Sequence, residues 1–225
     1  MKLSETTTKV LKNFASINPS ILLKEGETIR TISPQKNVLA QAVTDEPITD
    51  EMCLYDINQF LNIAESIDDC VINVNASKAV LSNPQNTQNS TVFFADPSVI
   101  VTPPEKNINV PDPEVRFKLT QDTLSQVLKA GQVLGTPEIV VEGGPHPNDT
   151  LRIKAMDVNN DSTDTFHVNL PETSGTSFRF VFKTENFKMV PGDYDVEISS
   201  KGIARFSQSK LQYWIATEST STYGG

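Results

Sequence analysis

The feature that most constrains the fold of this chain is a structural unit that occurs four times along it. In each copy, two or three strand-like residues end in Ser, Asp or Thr, a short helix-like segment begins, and β-branched or alternating runs follow. The second and fourth copies match best, because "YDINQFLNIAESIDDCVINVNASKAVLS" reads closely against "FKTENFKMVPGDYDVEISSKGIARFS". Such a repeat predicts a fold built from copies of one strand–helix–strands unit.

Four helix starts are marked by residues that cap helices. Ser4, Asp56 and Thr120 carry side-chain oxygens that accept hydrogen bonds from the first amides of a helix. They predict helices over "ETTTKVLKNFASI", "INQFLNIAESI" and "QDTLSQVLKAGQVL", each with apolar residues at helical spacing. A fourth, shorter helix is predicted over "ENFKMV", which follows Thr184 and which Pro191 and Gly192 end.

The segments that follow the helices predict strands, because they are β-branched or alternate between apolar and polar residues. These segments are "SILLKEG", "VLAQAV", "DCVINVN", "KAVLS", "STVFFA", "EIVVEGG", "TLRIKAM", "TFHVNL", "DYDVEIS", "IARFSQ" and "QYWIATE". The predicted class is α+β, with the apolar face of every helix packed on one side of a scaffold of antiparallel sheets.

A proline-rich segment separates the first two copies from the last two. Residues 95–115, "ADPSVIVTPPEKNINVPDPEV", contain five prolines, which exclude a helix or a central strand and favour a stiff, extended connector. We therefore expect two domains of similar construction, residues 1–109 and residues 110–225, each with two helices and a set of antiparallel strands.

The distribution of charge bears on possible partners. The chain has 225 residues and a formal net charge of −9, so as a whole it should not bind nucleic acid nonspecifically. Lysines nevertheless recur on the polar side of the predicted helices: Lys9 and Lys12 in the first, Lys129 in the third, and Lys188 in the fourth, with Lys183 just before it. If the helices share one side of the scaffold, these lysines form a local basic surface.

Catalytic and metal-binding patterns are absent from the sequence. His146 and His167 have no Cys or carboxylate at a recognised metal-ligand spacing. "DVNNDS" resembles the start of a calcium loop, but Ser162 replaces the required glycine and Val168 the required glutamate. No glycine-rich loop followed by Lys-Ser/Thr comes after a strand, so we expect no enzyme activity, no cofactor and no metal.

Targeting signals are also absent. The start "MKLSETTTK" lacks the apolar core of a secretion signal, and no apolar run approaches the roughly 20 residues of a membrane span. Cys53 and Cys70 are expected to be reduced thiols, although a disulfide between them stays open. We expect a protein that is not secreted.

Several stretches, in this order, resemble the DNA polymerase sliding clamps of large tailed bacteriophages. They are "MKLSETTTKVLKNFASIN", "LYDINQFL", "FFADPS" and "KMVPGDYDVEISSKGIARF", and the resemblance runs the length of the chain. It implies the sliding-clamp fold: a closed homotrimeric ring of two-domain subunits, with helices lining the hole and sheets on the rim. It also implies a processivity factor that encircles duplex DNA, is opened by a clamp loader, and tethers the replicative polymerase in the cytoplasm of the infected host.

The resemblance assigns roles to particular residues. The lysines named above would contact DNA phosphates, although relatives often carry more than the single lysine of the third helix. An apolar pocket for the C-terminal tail of the polymerase would use Val99, Ile100, Val101, Ile108, Val110, Tyr213, Trp214 and Ile215. Edge strands would close the ring through Thr91, Val92, Phe93 and Phe94 of one subunit and Phe166, Val168 and Leu170 of the next.

The alternative comes from a different class of protein. A β-rich virion, adhesion or scaffold protein could use the repeat only as a framework, and it would need neither a basic inner face nor a partner pocket. Retention on circular but not on linear DNA distinguishes the two, because only a ring remains linked to a closed circle.

Overall fold

The chain is divided into two compact units of antiparallel sheets with helices packed on them. In a computed structural model that describes residues 1–106, 108–160 and 162–224, the first unit is Met1–Asn107 with Ser209–Gln212. The second unit is Ile108–Gln208 with Tyr213–Gly225. The predicted connector at residues 95–115 includes Asn107, which lies outside the described residues.

The described residues form three α-helices and sixteen strands. The helices are α1 (Glu5–Ile17), α2 (Ile57–Glu65) and α3 (Gln121–Leu134). The strands that precede the connector are β1 (Ile21–Leu23), β2 (Gly26–Ile32), β3 (Val38–Ile48), β4 (Met52–Leu54), β5 (Val71–Asn75), β6 (Lys78–Ser82) and β7 (Asn89–Phe93). Those that follow it are β8 (Val115–Leu119), β9 (Glu138–Gly143), β10 (Asp149–Met156), β11 (Phe166–Ser174), β12 (Phe178–Lys183), β13 (Tyr194–Ser199), β14 (Ile203–Ser207), β15 (Leu211–Ala216) and β16 (Thr222–Tyr223).

Each α-helix begins at the cap that the sequence predicts. The Ser4 hydroxyl accepts a hydrogen bond from the Thr7 amide at 3.1 Å, and the Asp56 carboxylate accepts one from the Gln59 amide at 2.9 Å. Thr120 caps α3 in the same way. These bonds satisfy amides that have no partner inside the helix, so the predicted helix starts are confirmed.

The fourth predicted helix is wrong. Residues Thr184–Asn186 form a single 3-10 turn, and Phe187 leaves the helical region with φ −81° and ψ 49°. The Phe187 ring is buried and lies edge-on to Phe182 and Phe206, with centroids 5.7 and 5.6 Å apart. A segment this short before Pro191 cannot repay the cost of nucleating a helix, so the burial of the aromatic ring determines its path. The described part of the second unit therefore has one α-helix where two were expected.

In the first unit, helices cover the apolar face of short antiparallel sheets. Strand β1 pairs with β4, β2 pairs with β3, and β5, β6 and β7 pair in that order. Helix α1 packs on β2 and β3 and against α2. Leu11 and Phe14 of α1 and Phe60 of α2 are fully buried, so the polar sides of both helices face away from this core.

In the second unit, α3 lies on a five-stranded antiparallel sheet. The strand order is β11-β10-β9-β12-β16, and α3 contacts the first three of these strands. Gly131 permits the close approach, because a Cβ there would lie 3.3 Å from the Ala155 Cβ. Gly135 ends the helix with φ 67°, a left-handed conformation that favours glycine. Strands β8, β13 and β14 form a second antiparallel group in this unit.

The described part of the connector contains a short 3-10 turn. A 3-10 turn covers Pro97–Val99, and the Asp96 carboxylate accepts a hydrogen bond from the Ser98 amide at 2.8 Å. Pro97 fits at the first position of the turn because the amide it lacks has no helical partner there. The expectation that the prolines exclude any helix is thus too strict for this single turn.

Two further expectations concern thiols and membranes. Cys53 and Cys70 are both free thiols, which excludes a disulfide between them in this structure. None of the three helices in the described part of the chain is long and apolar enough to cross a membrane.

Candidate functional site

The lysines of α1 are exposed, as their spacing predicts, and each has a carboxylate nearby. The Lys9 Nζ lies 4.0 Å from the Glu5 Oε2 one turn earlier in the same helix. The Lys12 Nζ lies 2.5 Å from the Glu65 Oε1 on α2. The exposed side of α1 is therefore partly neutralised by its own surroundings, and its contact with DNA stays a prediction.

The other two helices add little positive charge. On α2 the exposed positions carry amides, at Asn58, Gln59 and Asn62, together with Glu65. Helix α3 exposes Lys129 and has one carboxylate in its first turn. Over the three helices, three lysines are matched by three carboxylates, so the described helices together carry no net charge.

Lys188, assigned to the fourth helix, and Lys183, just before it, both lie outside any α-helix. Lys183 is the last residue of β12, where it is paired in register with Glu138 of β9. Lys188 is exposed and follows the 3-10 turn. Because the helix is missing, the side chain of Lys188 is not placed by helical periodicity as expected.

The two strands predicted to close the ring both lie at the edge of a sheet. Strand β7 ends the three-stranded sheet of the first unit, and β11 ends the five-stranded sheet of the second. In the described chain each has a neighbouring strand on one side only, so backbone groups on its other side can pair with another chain. The Phe93 ring is exposed on β7, with the Lys78 Nζ 5.7 Å from its centroid.

Details of these edges differ from the predicted segments. Strand β7 ends at Phe93, and the Ala95 amide already donates a hydrogen bond to the Cys53 carbonyl at 2.9 Å. On β11, Phe166 and Val168 are half-buried, whereas Leu170 is buried within its own unit. Leu170 therefore belongs to the core of the described chain rather than to an open edge.

A cavity of about 590 Å³ lies in the first unit beneath the connector. Leu22, Pro103 and Pro104 supply apolar walls, and Arg30 supplies positive charge. Lys24 also lines the cavity, but its amine is paired with the Glu105 carboxylate at 2.9 Å. The Arg30 guanidinium donates a hydrogen bond to the Pro104 carbonyl at 2.7 Å, and partial burial lowers its pKa from the ordinary value. The connector is thus held to β2 by a basic side chain beside apolar groups.

Sequence reasoning missed this cavity because it did not identify β2 as a strand. The polar and apolar residues that alternate from Thr28 through Ile29 to Arg30 in "GETIRTI", together with its β-branched content, are the signal that could have found it. An alternating strand places Thr28 and Arg30 on one face, and both line the cavity.

The residues assigned to the partner pocket fall into two groups. Val99 is exposed, and Ile100, Val101, Ile108 and Val110 are half-buried. They therefore remain accessible apolar side chains on the connector.

The three residues on the last strand are a correction to the predicted pocket. Tyr213, Trp214 and Ile215 are buried, and the Tyr213 hydroxyl accepts a hydrogen bond from the Val190 amide at 3.0 Å. Tyr213 also lies edge-on to Tyr194, with the ring centroids 6.1 Å apart. These contacts stabilise the core of the second unit, so the three side chains present no open apolar surface.

Among the described residues, no group of three or more His, Cys, Asp or Glu side chains is placed to hold a metal ion.

Comparison with known proteins identifies the family. Residues 2–102 match the family model described as "DNA polymerase processivity factor", and residues 116–219 match "gp45 sliding clamp, C terminal". The chain is 33% identical over 224 residues to the sliding clamp of Vibrio phage KVP40, with 97% of this chain and 99% of that protein covered. The chain belongs to the sliding clamp family.

Other relatives give the same result. The sliding clamps of Escherichia phage RB69 and Enterobacteria phage T4 are 33% and 32% identical, each with 99% of both chains covered. This sliding clamp is therefore a DNA polymerase processivity factor and not an enzyme, as predicted, and the scaffold alternative is not favoured.

Solved structures show the fold at low sequence identity. A. fulgidus PCNA, bound to the C-terminal region of FEN-1, matches with a TM-score of 0.68 at 16% identity over 98% of both chains. A putative DNA polymerase III β subunit of Eubacterium rectale matches with a TM-score of 0.66 at 15% identity, over 93% of this chain and 62% of that one. The predicted α+β sliding-clamp fold is confirmed.

Proposed function

We propose that three copies of this sliding clamp form a closed ring around duplex DNA and hold the replicative polymerase on its template. The observation that carries the proposal is the match over nearly the whole chain to phage proteins named sliding clamps. A clamp loader opens the ring, and the setting is the cytoplasm of the infected bacterial host. A protein with a similar fold forms a complex of unlike chains, the PCNA2–PCNA3 complex of Sulfolobus tokodaii, which matches with a TM-score of 0.59.

Contact with DNA is made through phosphates only. Lys9, Lys12 and Lys129 supply it from the helices, and Lys183 and Lys188 supply it from the segment around the 3-10 turn. Phosphate contacts carry no sequence information, so the ring can slide. The matched charges on the helices support a weak contact, which suits a protein whose linkage to DNA is topological.

Ring closure uses the free edges of β7 and β11. Antiparallel pairing would join the edge of one subunit to the edge of the next. The residues of the first edge are Thr91, Val92, Phe93 and Phe94. Those of the second are Phe166, Val168 and, through its backbone, Leu170. The support is that both strands are sheet edges in the described chain and that Phe93 exposes a large apolar ring. A head-to-tail contact of this kind closes into a ring when the rotation per subunit is right.

Polymerase binds at the connector of the first unit. The cavity walls Leu22, Pro103 and Pro104 would receive apolar side chains of a polymerase tail, and Val99 would extend that surface. Ile100 and Val101, also in the first unit, are half-buried and would add to the contact, whereas Ile108 and Val110 belong to the second unit and are left out of this site. This version of the pocket replaces the buried last-strand residues. An apolar anchor in a groove beside polar groups is a common mode of peptide recognition.

The decisive experiment compares DNA with and without ends. The clamp is loaded by its loader onto nicked circular duplex and onto the same duplex cut once, and bound protein is separated from free protein by size. A sliding ring stays on the circle and is lost from the cut DNA. Equal retention on both forms would contradict topological binding, and a monomer in sedimentation velocity would contradict ring closure.

A further inference from the structure

The ion pair between α1 and α2 joins a candidate DNA contact to a carboxylate on the neighbouring helix. The Lys12 Nζ and the Glu65 Oε1 are 2.5 Å apart, and each side chain is 47% exposed. Lys12 and Glu65 are therefore accessible to solvent and to an anion, while being held together across two helices that pack on each other.

Glu65 differs in charge from the other exposed positions of its helix. Asn58, Gln59 and Asn62 are neutral amides, so Glu65 is the one carboxylate within the residues of α2. Its charge is placed at the amine of Lys12 rather than in the first turn, where a carboxylate would stabilise the helix dipole. Helix stability therefore gives no reason for an acidic residue at this end of α2.

The pair has a direct consequence for phosphate binding. A lysine in contact with a carboxylate must give up that contact to reach a phosphate, and the carboxylate itself repels the phosphate. On α1, the Lys9 Nζ is also 4.0 Å from Glu5. The two lysines of α1 would thus meet DNA with part of their charge already compensated.

We propose that Glu65 limits the grip of this clamp on DNA, by holding Lys12 in a competing ion pair, and thereby keeps sliding fast. Glu65 acts through Lys12 and does not itself bind DNA. The proposal rests on the proposed function, since it requires that the exposed side of α1 faces the duplex.

The size of the effect follows from counterion release. Each added lysine–phosphate contact makes the plot of log binding constant against log salt concentration steeper by about 0.9. Between 50 and 200 mM salt, this corresponds to roughly a 3.5-fold change in the binding constant. Removal of the Glu65 charge adds up to one such contact per subunit that faces the DNA. Because the added contact is electrostatic, its effect must be largest at low salt.

The experiment measures one-dimensional diffusion of the labelled, loaded clamp on stretched linear duplex at 50 and 200 mM salt. We expect Glu65→Gln to diffuse more slowly than the wild type. For one added contact, the ratio of its diffusion coefficients at 200 and 50 mM salt should exceed the wild-type ratio by roughly 3.5-fold. Lys12→Gln should diffuse faster than the wild type. In the Lys12→Gln background, Glu65→Gln should slow diffusion much less than in the wild type, because the lysine that it releases is gone and only the direct repulsion by the carboxylate is relieved.

Controls separate this role from charge and from folding. Glu51→Gln removes a carboxylate from an exposed position outside both helices, so it makes the same change in net charge. The charge swap Lys12→Glu with Glu65→Lys keeps a pair and should retain the salt dependence of the wild type. Melting temperature is measured for every variant, and the swap serves as the test if Glu65→Gln is poorly folded.

The outcomes are distinguishable. If Lys12→Gln speeds diffusion but Glu65→Gln matches the wild type at both salts, the role of Glu65 is overturned and the DNA-facing role of α1 stands. If Glu65→Gln and Glu51→Gln slow the clamp equally, bulk charge is responsible and the proposal is overturned. If no variant changes diffusion and the clamp leaves closed circles as fast as cut ones, the proposed function fails with it.

Discussion

Replacement of Phe93 by Ser tests whether β7 closes the ring. The Phe93 side chain is 71% exposed in the single chain, at the free edge of its sheet. If a neighbouring subunit covers it, a Phe surface of about 200 Å² would lose about 140 Å² of exposed apolar area. At about 25 cal/mol per Å², that burial stabilises each contact by about 3.5 kcal/mol, or about 300-fold in its dissociation constant.

The folded subunit itself should tolerate this change. The ring of Phe93 contributes mainly its contact with the Lys78 amine, and an exposed cation–π contact is worth about 0.5–1 kcal/mol. We therefore expect the free energy of unfolding of the monomer to fall by no more than about 1 kcal/mol. Urea unfolding of dilute protein measures this change in monomer stability separately from assembly.

Sedimentation equilibrium over a range of protein concentrations measures assembly. The Phe93→Ser variant should require about 300-fold more protein than the wild type for each contact to form if the ring is fully covered. Tyr55→Ser is the matched control, because Tyr55 is an aromatic residue that is 69% exposed at a position outside the edge strands. Assembly of Phe93→Ser at the concentration of the wild type would refute the assignment of β7 to the subunit interface.

Three more predictions address the other sites. Simultaneous replacement of the helix lysines Lys9, Lys12 and Lys129 by Ala should change thermal stability by no more than about 1 kcal/mol. It should weaken clamp loading most at low salt, where phosphate contacts are least screened, and unchanged loading across a salt series would contradict their role. Phe14→Ala should cost about 3–5 kcal/mol in a urea titration, because the ring is fully buried, while the folded fraction still slides; a cost below about 1 kcal/mol would contradict its burial. Arg30→Ala should free the connector, because it removes the hydrogen bond to the Pro104 carbonyl, and should reduce binding of a fluorescent polymerase tail peptide. The sedimentation of the ring should not change. Unaltered anisotropy of the peptide would argue against the connector cavity as its binding site.

Sequence reasoning succeeded where the cause of a structure lies within a few residues of it. The caps at Ser4, Asp56 and Thr120 bond amides three residues ahead, so their effect can be read directly from the sequence. The same is true of Gly135, whose left-handed conformation ends α3. The outward position of Lys12 likewise follows from helical periodicity alone.

Prediction from the sequence failed where a short segment was compatible with two different structures. The segment around Phe187 has helical spacing, but a buried aromatic ring and a following proline hold it in a single turn. The apolar run at Tyr213 and Ile215 could be a surface for a partner or a part of the core. In the structure these side chains are buried in the core. Their burial depends on which strands, distant in the sequence, cover them.

The sequence by itself determined the class of the fold, the starts of its α-helices and the family resemblance, because repeats, caps and periodicity are local patterns. Only the tertiary structure decided which charges meet. Lys12 finds Glu65 on another helix, and Arg30 reaches the carbonyl of Pro104 in the connector, so both partners come from far along the chain. Charge pairing and burial depend on distances in space, and folding brings those residues together in ways that no short stretch of sequence specifies.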